Sequence, residues 1–255
     1  MPTKNDYKGM AISPSGSEQK NREVLLELFL NSPIPDDLKM YNLGLFIKRQ
    51  DLTRILFFHE LYKKVIPIHG VVAEFGVRLG QTLALFESFH GIYEPYNNGR
   101  KILGFDTFAG LASIVKQDGN SVDVRAGNLS VPKDYQSYLE KILSCHEKES
   151  PVSHIKKFQI IKGDACKTVP NYLKEYPETI FALVFFDFDI YKPTKDCLEA
   201  IKPHLTKGSI VAFDQLNAHN FPGETVALKD AFGLQNVRIQ RIPFLSSEQS
   251  FFIVE

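Results

Sequence analysis

The sequence has no surplus of either charge: thirty Lys and Arg are matched by thirty Asp and Glu. A chain so balanced lacks the electrostatic footprint of a protein that binds nucleic acid or an anionic membrane, which leaves a small molecule as the expected partner. It also lacks any apolar run near the roughly 18 residues that a membrane span needs. The stretch from Met1 to Lys20 is polar and has no apolar centre of the signal-peptide kind, so a cytoplasmic protein is expected. Cysteine is scarce. Cys145, Cys166 and Cys197 are odd in number, far apart and without a CxxC pair, which argues against a disulfide framework or a zinc site. At 255 residues the chain is long enough for one α/β domain with decorations.

What is present falls into two parts. Residues 1–66 read as a tail and a helical extension, with one helix over residues 17–30 opened by Ser17 and a second from Asp51. These helices have three possible uses: packing on the domain, covering a site, or forming a subunit interface. The last is the expectation carried forward, as a homo-oligomer. From Val71 the pattern changes to short apolar runs separated by helical segments: VVAEF, KILGF, FQIIK, IFALVFFD and GSIVAF. Runs without polar alternation predict strands buried on both faces, hence a parallel sheet covered by helices. NVRIQRI and SFFIVE are too close together for a parallel crossover and predict an antiparallel hairpin. The expected fold is therefore α/β, a Rossmann-like doubly wound, mostly parallel seven-stranded sheet over residues 67–255. An insertion at about 107–157 is expected to cover a substrate in its first, polar part and to be helical over DYQSYLEKILSCHEK.

Ligands of open parallel sheets bind beyond the carboxyl ends of the strands, so the residues there carry the chemistry. The first strand ends in Glu74, Gly76, Arg78 and Gly80, followed by Thr82 in a helix. Gly76 and Gly80 permit a tight turn, but Arg78 and Gln81 occupy positions where a dinucleotide fingerprint needs glycine. Glu74 suits a ligand amino group better than a phosphate. Asp106, followed by Thr107 and Phe108, is placed to accept ribose hydroxyls of an adenosine, and Asp164 with Ala165 to accept from an adenine amino group. Asp187 and Asp214 end adjacent strands, and with an amide oxygen from Gln215 or Asn217 they form a hard oxygen set suited to Mg²⁺ or another divalent cation. In the plainer alternative, Asp187 orients a cofactor and Asp214 caps a loop.

EFGVRLGQTLALF, GFDTFAGL, KGDACKTVP, FFDFDIYKPT and FPGETVALKDAFG occur in an order and spacing that resemble the macrocin O-methyltransferase (TylF-like) family, near its calicheamicin-type sugar O-methyltransferase branch. The resemblance covers about residues 40–255. It implies a class I methyltransferase that uses S-adenosylmethionine, often with a divalent ion. It carries cofactor-binding roles to Glu74, Gly76, Gly80, Thr82, Asp106, Asp164 and Asp187, and metal roles to Asp187 and Asp214. Family members commonly have a second acid where this chain has Gln215, a loss of charge that weakens a metal site.

The resemblance implies O-methyl transfer to a hydroxyl of a sugar or a sugar-containing natural product. A methyltransferase for a phenol or amine, and a non-catalytic cofactor-binding assembly protein, are the alternatives. A hydroxyl nucleophile needs deprotonation near neutral pH. His219 is the first candidate base because an imidazole titrates there, and Asp189 competes with it.

Overall fold

The computed structural model describes residues 15–243 and 249–255. It divides into two compact units, Met1–Ile55 and Leu56–Glu255. In the first unit, helix α1 (Gly16–Leu30) begins one residue earlier than its sequence signal, because Ser15 and not Ser17 is the cap. Ser15 Oγ accepts from the Glu18 amide, and Glu18 Oε2 accepts from the Ser15 amide at 2.9 Å, closing a capping box. Helix α2 (Asp36–Tyr41) follows, and α3 (Arg49–Val65) begins in this unit and continues into the second. The unit leaves Leu26, Leu28, Leu30, Met40 and Tyr41 largely exposed.

The second unit alternates strands β1 (Val71–Phe75), β2 (Ile102–Asp106), β3 (Phe158–Lys162), β4 (Phe181–Phe186), β5 (Leu205–Phe213) and β6 (Ser250–Ile253) with helices α4 (Gln81–Tyr93), α5 (Tyr135–Glu149), α6 (Ala165–Glu175), α7 (Tyr191–Ile201) and α8 (Gly223–Phe232). The sheet order is β3-β2-β1-β4-β5-β6, parallel except for the antiparallel pair β5–β6. Strand order therefore reverses between β1 and β4.

Alternate side chains of the strands enter two separate cores. Val72, Ile102, Phe185 and Ile210 pack with Phe58, Leu61, Phe86, Leu139 and Leu143 on one face. Phe75, Phe105, Phe186 and Phe213 pack with Val169, Leu173, Leu198, Ile201 and Leu228 on the other. Those four phenylalanines lie in register across β2, β1, β4 and β5. Their rings stack as a ladder, with centroids 5.2, 4.7 and 5.3 Å apart and planes within 18°.

Among the described residues there are six strands, not the seven expected. Residues 236–242 form no strand, only a bridge from Gln240 to Phe251. Val237 packs on one core and Ile242 on the other, so the segment crosses the sheet edge instead of running along it. The connection through residues 244–248 lies outside the described residues.

One polar cluster is sealed between α4, α5 and the start of β3. Glu87, Glu147 and Lys157 are each almost fully buried. Lys157 pairs with Glu147, donates to the Ile155 carbonyl at 3.1 Å and offers its amide to Glu147 Oε2 at 2.8 Å. Burial first, and the Glu147 charge second, push the Glu87 carboxyl up to about 8. The shift favours the protonated, neutral acid beside Glu147, whose charge Lys157 balances.

An acid whose pKa is raised from 4.5 to about 8 stabilises the fold below the lower value, and the contribution is lost as pH rises to the upper one. Unfolding free energy should thus fall between these pH values by at most ~1.4 kcal/mol per pH unit. Glu87→Gln should remove most of this slope in denaturant titrations at a pH series. An unchanged slope in the variant would show that the protonated Glu87 is not its source.

Candidate functional site

The carboxyl ends of the strands meet above the phenylalanine ladder, because each of its rings directly precedes a site residue: Phe75 before Gly76, Phe105 before Asp106, Phe186 before Asp187 and Phe213 before Asp214. Backbone bonds tie these ends together. Gly76 donates to Phe105, Asp187 to Phe75 and Asp214 to Phe186, at 2.9, 2.8 and 2.9 Å. Gly76 has φ +97°, and a Cβ there would lie 2.1 Å from the Asp187 carbonyl oxygen, so only glycine permits this approach.

The turn from β1 into α4 is held from the side. Arg78 adopts φ +47°, an uncommon conformation for a side chain of its size. Asp106 steadies it: Oδ2 accepts the Arg78 amide at 2.7 Å and Oδ1 the Phe108 amide at 2.5 Å. The carboxylate expected to meet a ligand's hydroxyls thus first builds the turn, and its remaining lone pairs face outward from those two bonds. Thr107 Oγ1 accepts the Ala109 amide at 3.1 Å, which shapes the same turn. Gly80 (φ +80°) caps α4, and a Cβ there would strike Leu139, so α5 lies against the glycine turn. Tyr135 donates to the Leu79 carbonyl at 3.1 Å from the same helix. Glu74 and Thr82 are buried on either side of the turn.

At the third strand end, Asp164 caps α6 by accepting the Cys166 amide at 3.1 Å, and Ala165 is buried behind it. The β4 and β5 ends converge on a residue that the sequence reads first as part of a helix start, although one that could face the cleft. Glu224, fully buried in the first turn of α8, accepts the Phe188 and Asp189 amides through Oε1 at 3.1 and 3.2 Å. Its Oε2 accepts the Gln215 amide at 3.2 Å. Burial pushes this carboxyl well above the usual carboxylate range, and the charges of Asp189, Asp187 and Asp214 push in the same direction. Those three aspartates therefore lie in one cluster around it. Asp189 is buried with φ +63°, Asp187 and Asp214 are half-buried, and Gln249 donates to Asp214 Oδ1 at 2.9 Å.

Not every expected residue joins this cluster. His219 is exposed on the loop after β5 and makes no hydrogen bond or ion pair among the described residues. For a divalent cation, no three His, Cys, Asp or Glu side chains come together as a ligand group among the described residues. Gln215 is buried, and its Oε1 has no hydrogen-bond partner among them.

The Glu224 contacts span nine to thirty-six residues in sequence, and the Pro-Gly-Glu run gives no local sign of them. A separate cleft of about 690 Å³ opens at the opposite, amino ends of the strands, lined by His69, Lys101, Lys156 and Tyr172 among others. It shares none of the strand-end residues. Among the described residues, no helix is long and apolar enough to cross a membrane.

No protein-family model matches the chain, and a search of curated proteins finds no match. Solved structures do match. The crystal structure of CalS11, a calicheamicin methyltransferase, is 40% identical over 95% of this chain and 94% of that one, with a TM-score of 0.92. The apo structure of CalS11, described as a TDP-rhamnose 3′-O-methyltransferase of calicheamicin biosynthesis, is 39% identical over 95% and 96%, with a TM-score of 0.84. The O-methyltransferase NovP shares the fold at 16% identity over 79% of each chain, with a TM-score of 0.60.

Removing the Glu224 carboxyl would strand three buried amides, each costing about 1–3 kcal/mol. Glu224→Ala should therefore lower the unfolding free energy by about 3 kcal/mol or more, and Glu224→Gln, which keeps one acceptor, by clearly less. Denaturant titration of both variants reads the difference, and an alanine variant as stable as the parent protein would contradict the bonding described.

Proposed function

Because the chain belongs to the family of S-adenosylmethionine-dependent methyltransferases that includes CalS11, we propose that it transfers a methyl group from S-adenosylmethionine to a hydroxyl of a sugar or a sugar-containing natural product. The carrying observation is likeness to CalS11 over nearly the whole chain, at an identity well beyond what a shared fold alone requires. The strand-end geometry supports it. Glu74 and the turn Gly76–Arg78–Gly80 with Thr82 form the cradle for the amino-acid part of the cofactor. Asp106, Thr107 and Phe108 take the ribose, Asp164 and Ala165 the adenine, and Asp187 borders the sulfonium.

Methyl transfer is an in-line displacement. The acceptor oxygen attacks the methyl carbon, the carbon–sulfur bond breaks, and S-adenosylhomocysteine leaves as a neutral thioether. The acceptor proton passes to a base. Of the two candidates, Asp189 lies inside the acid cluster and His219 on the exposed loop. The cluster's position beside the Asp187 backbone favours Asp189, since alignment within reach of the reacting hydroxyl is what a base requires.

A divalent cation is the finer part of this reading. Asp187, Asp214 and the unpartnered Gln215 Oε1 would hold it as a hard oxygen set, with other positions left to water and acceptor hydroxyls. When bound, such an ion supplies Lewis-acid activation of a hydroxyl. Two further points complete the proposal. The exposed Leu26, Leu28, Leu30, Met40 and Tyr41 of the first unit form a homo-oligomer interface, which sedimentation velocity reads directly. All three cysteines are free, in keeping with a cytoplasmic enzyme.

Calorimetry should show saturable binding of S-adenosylmethionine, weakened at least about tenfold by Asp106→Ala, a loss of roughly 1.4 kcal/mol. Incubation with a panel of nucleotide sugars, glycosides, phenols and amines should yield S-adenosylhomocysteine with the sugars, and no binding at millimolar cofactor would end the proposal. Rigorous chelation should abolish turnover, with Mg²⁺ restoring it and Asp214→Ala behaving like the chelated enzyme. Full activity after chelation removes the ion. A pH–rate profile unaltered by Asp189→Asn but shifted by His219→Ala would transfer the base role to the histidine.

A further inference from the structure

The insertion after β2 is polar and largely exposed, yet Asp118 within it is completely buried. Its carboxylate binds in two directions. Oδ2 accepts the Val115 amide at 2.7 Å, inside the insertion, and Oδ1 accepts the Tyr191 amide at 2.5 Å, at the start of α7. Helix α7 has Ile190 at its cap position and no side-chain cap of its own, so Asp118 supplies from a distant loop the acceptor that a local Ser or Asp usually provides. The fit depends on Gly223. A Cβ there would lie 2.5 Å from both Asp118 Oδ1 and the Tyr191 amide. The insertion is itself closed at its neck, where Leu111 and Asn128, and Gly127 and Leu111, exchange backbone bonds at 2.8 and 2.9 Å.

The segment that receives Asp118 carries the acid cluster. Residues 188–191 are held at one end by Glu224, which accepts the Phe188 and Asp189 amides, and at the other by Asp118 on Tyr191. Between these two anchors Asp189 sits at φ +63°, a conformation that persists only when its surroundings impose it. We propose that Asp118 is a positioning residue: it latches the insertion to the start of α7 and thereby fixes the backbone that aims Asp189 at the acceptor. It acts through the chain and touches no reacting atom. The turn held by Gly76, Arg78 and Asp106 is anchored by other bonds, so cofactor affinity does not depend on the latch.

The catalytic consequence rests on the methyl-transfer reading, whereas the latch itself does not, and the experiment separates them. Asp118→Ala removes the acceptor, and Gly223→Ala, whose Cβ crowds both Asp118 Oδ1 and the Ile190–Tyr191 backbone, breaks the contact without altering any charge. Both should raise the rate of limited proteolysis within residues 107–134 at least about fivefold, as loss of a helix cap and a loop anchor predicts. Both should leave the affinity for S-adenosylhomocysteine within about twofold and lower kcat at least about tenfold, the cost of misaiming a catalytic group. The double variant should be no worse than Gly223→Ala alone, because that substitution already breaks the contact that Asp118 makes. Asp118→Asn keeps one acceptor oxygen, should fall between, and serves if the alanine variants fold poorly. Unchanged proteolysis overturns the latch. Faster proteolysis with unchanged kcat overturns the positioning role. Absence of turnover in the unmodified protein overturns the methyl-transfer reading and the role built on it, while the cleavage rates still report the latch.

Discussion

The stacking of Phe105, Phe75, Phe186 and Phe213 across four parallel strands is the interaction on which the remaining structure depends. Parallel pairing alone does not fix register strongly, since its hydrogen bonds are evenly spaced. Four large rings that must meet in one layer do fix it, because a slip of one residue would send every ring to the opposite core. Each aromatic pair adds about 0.5–1.5 kcal/mol beyond the area it buries. The position after each ring is then set in space, and those positions hold Gly76, Asp106, Asp187 and Asp214. Packing beneath the site and chemistry above it are thus two readings of the same four dipeptides.

Above the ladder, the polar groups mostly serve one another. Asp106 braces a left-handed arginine, Asp164 caps a helix, and Glu224 gathers three amides. A carboxylate already fixed by backbone donors loses little freedom when a ligand arrives, which is the physical content of a preorganised site. The close approach of Gly76 to the Asp187 backbone joins the cradle of β1 to the acid cluster of β4 at the point where strand order reverses.

Much of this was legible in the sequence. Unalternated runs such as VVAEF and IFALVFFD can be buried only on both faces, so the parallel sheet and its strand ends followed directly. The acids at those ends were visible for the same reason. Less visible were contacts that no local pattern encodes. Asp118 meets Tyr191 across 73 residues from a stretch without periodicity, and its partner glycine looks like an ordinary helix opener. Glu224 resembles any acid in a first turn until its three amides are in place. The missing strand at residues 236–242 has another cause. Its β-branched residues carry the right propensity, but Val237 and Ile242 serve different cores, and tertiary packing overrode the pattern.

The antiparallel strand β6 completes the sheet edge beside β5, and the neighbouring Gln249 holds the Asp214 carboxylate. Synthesis runs from the amino end, so β1 to β5 and helices α1 to α8 leave the ribosome before this strand does. Phe251 of this strand completes one core and Phe252 the other, so both cores and the Gln249 contact to Asp214 close together. Assembly of the complete strand-end site therefore waits on β6, the strand that closes the packing beneath it.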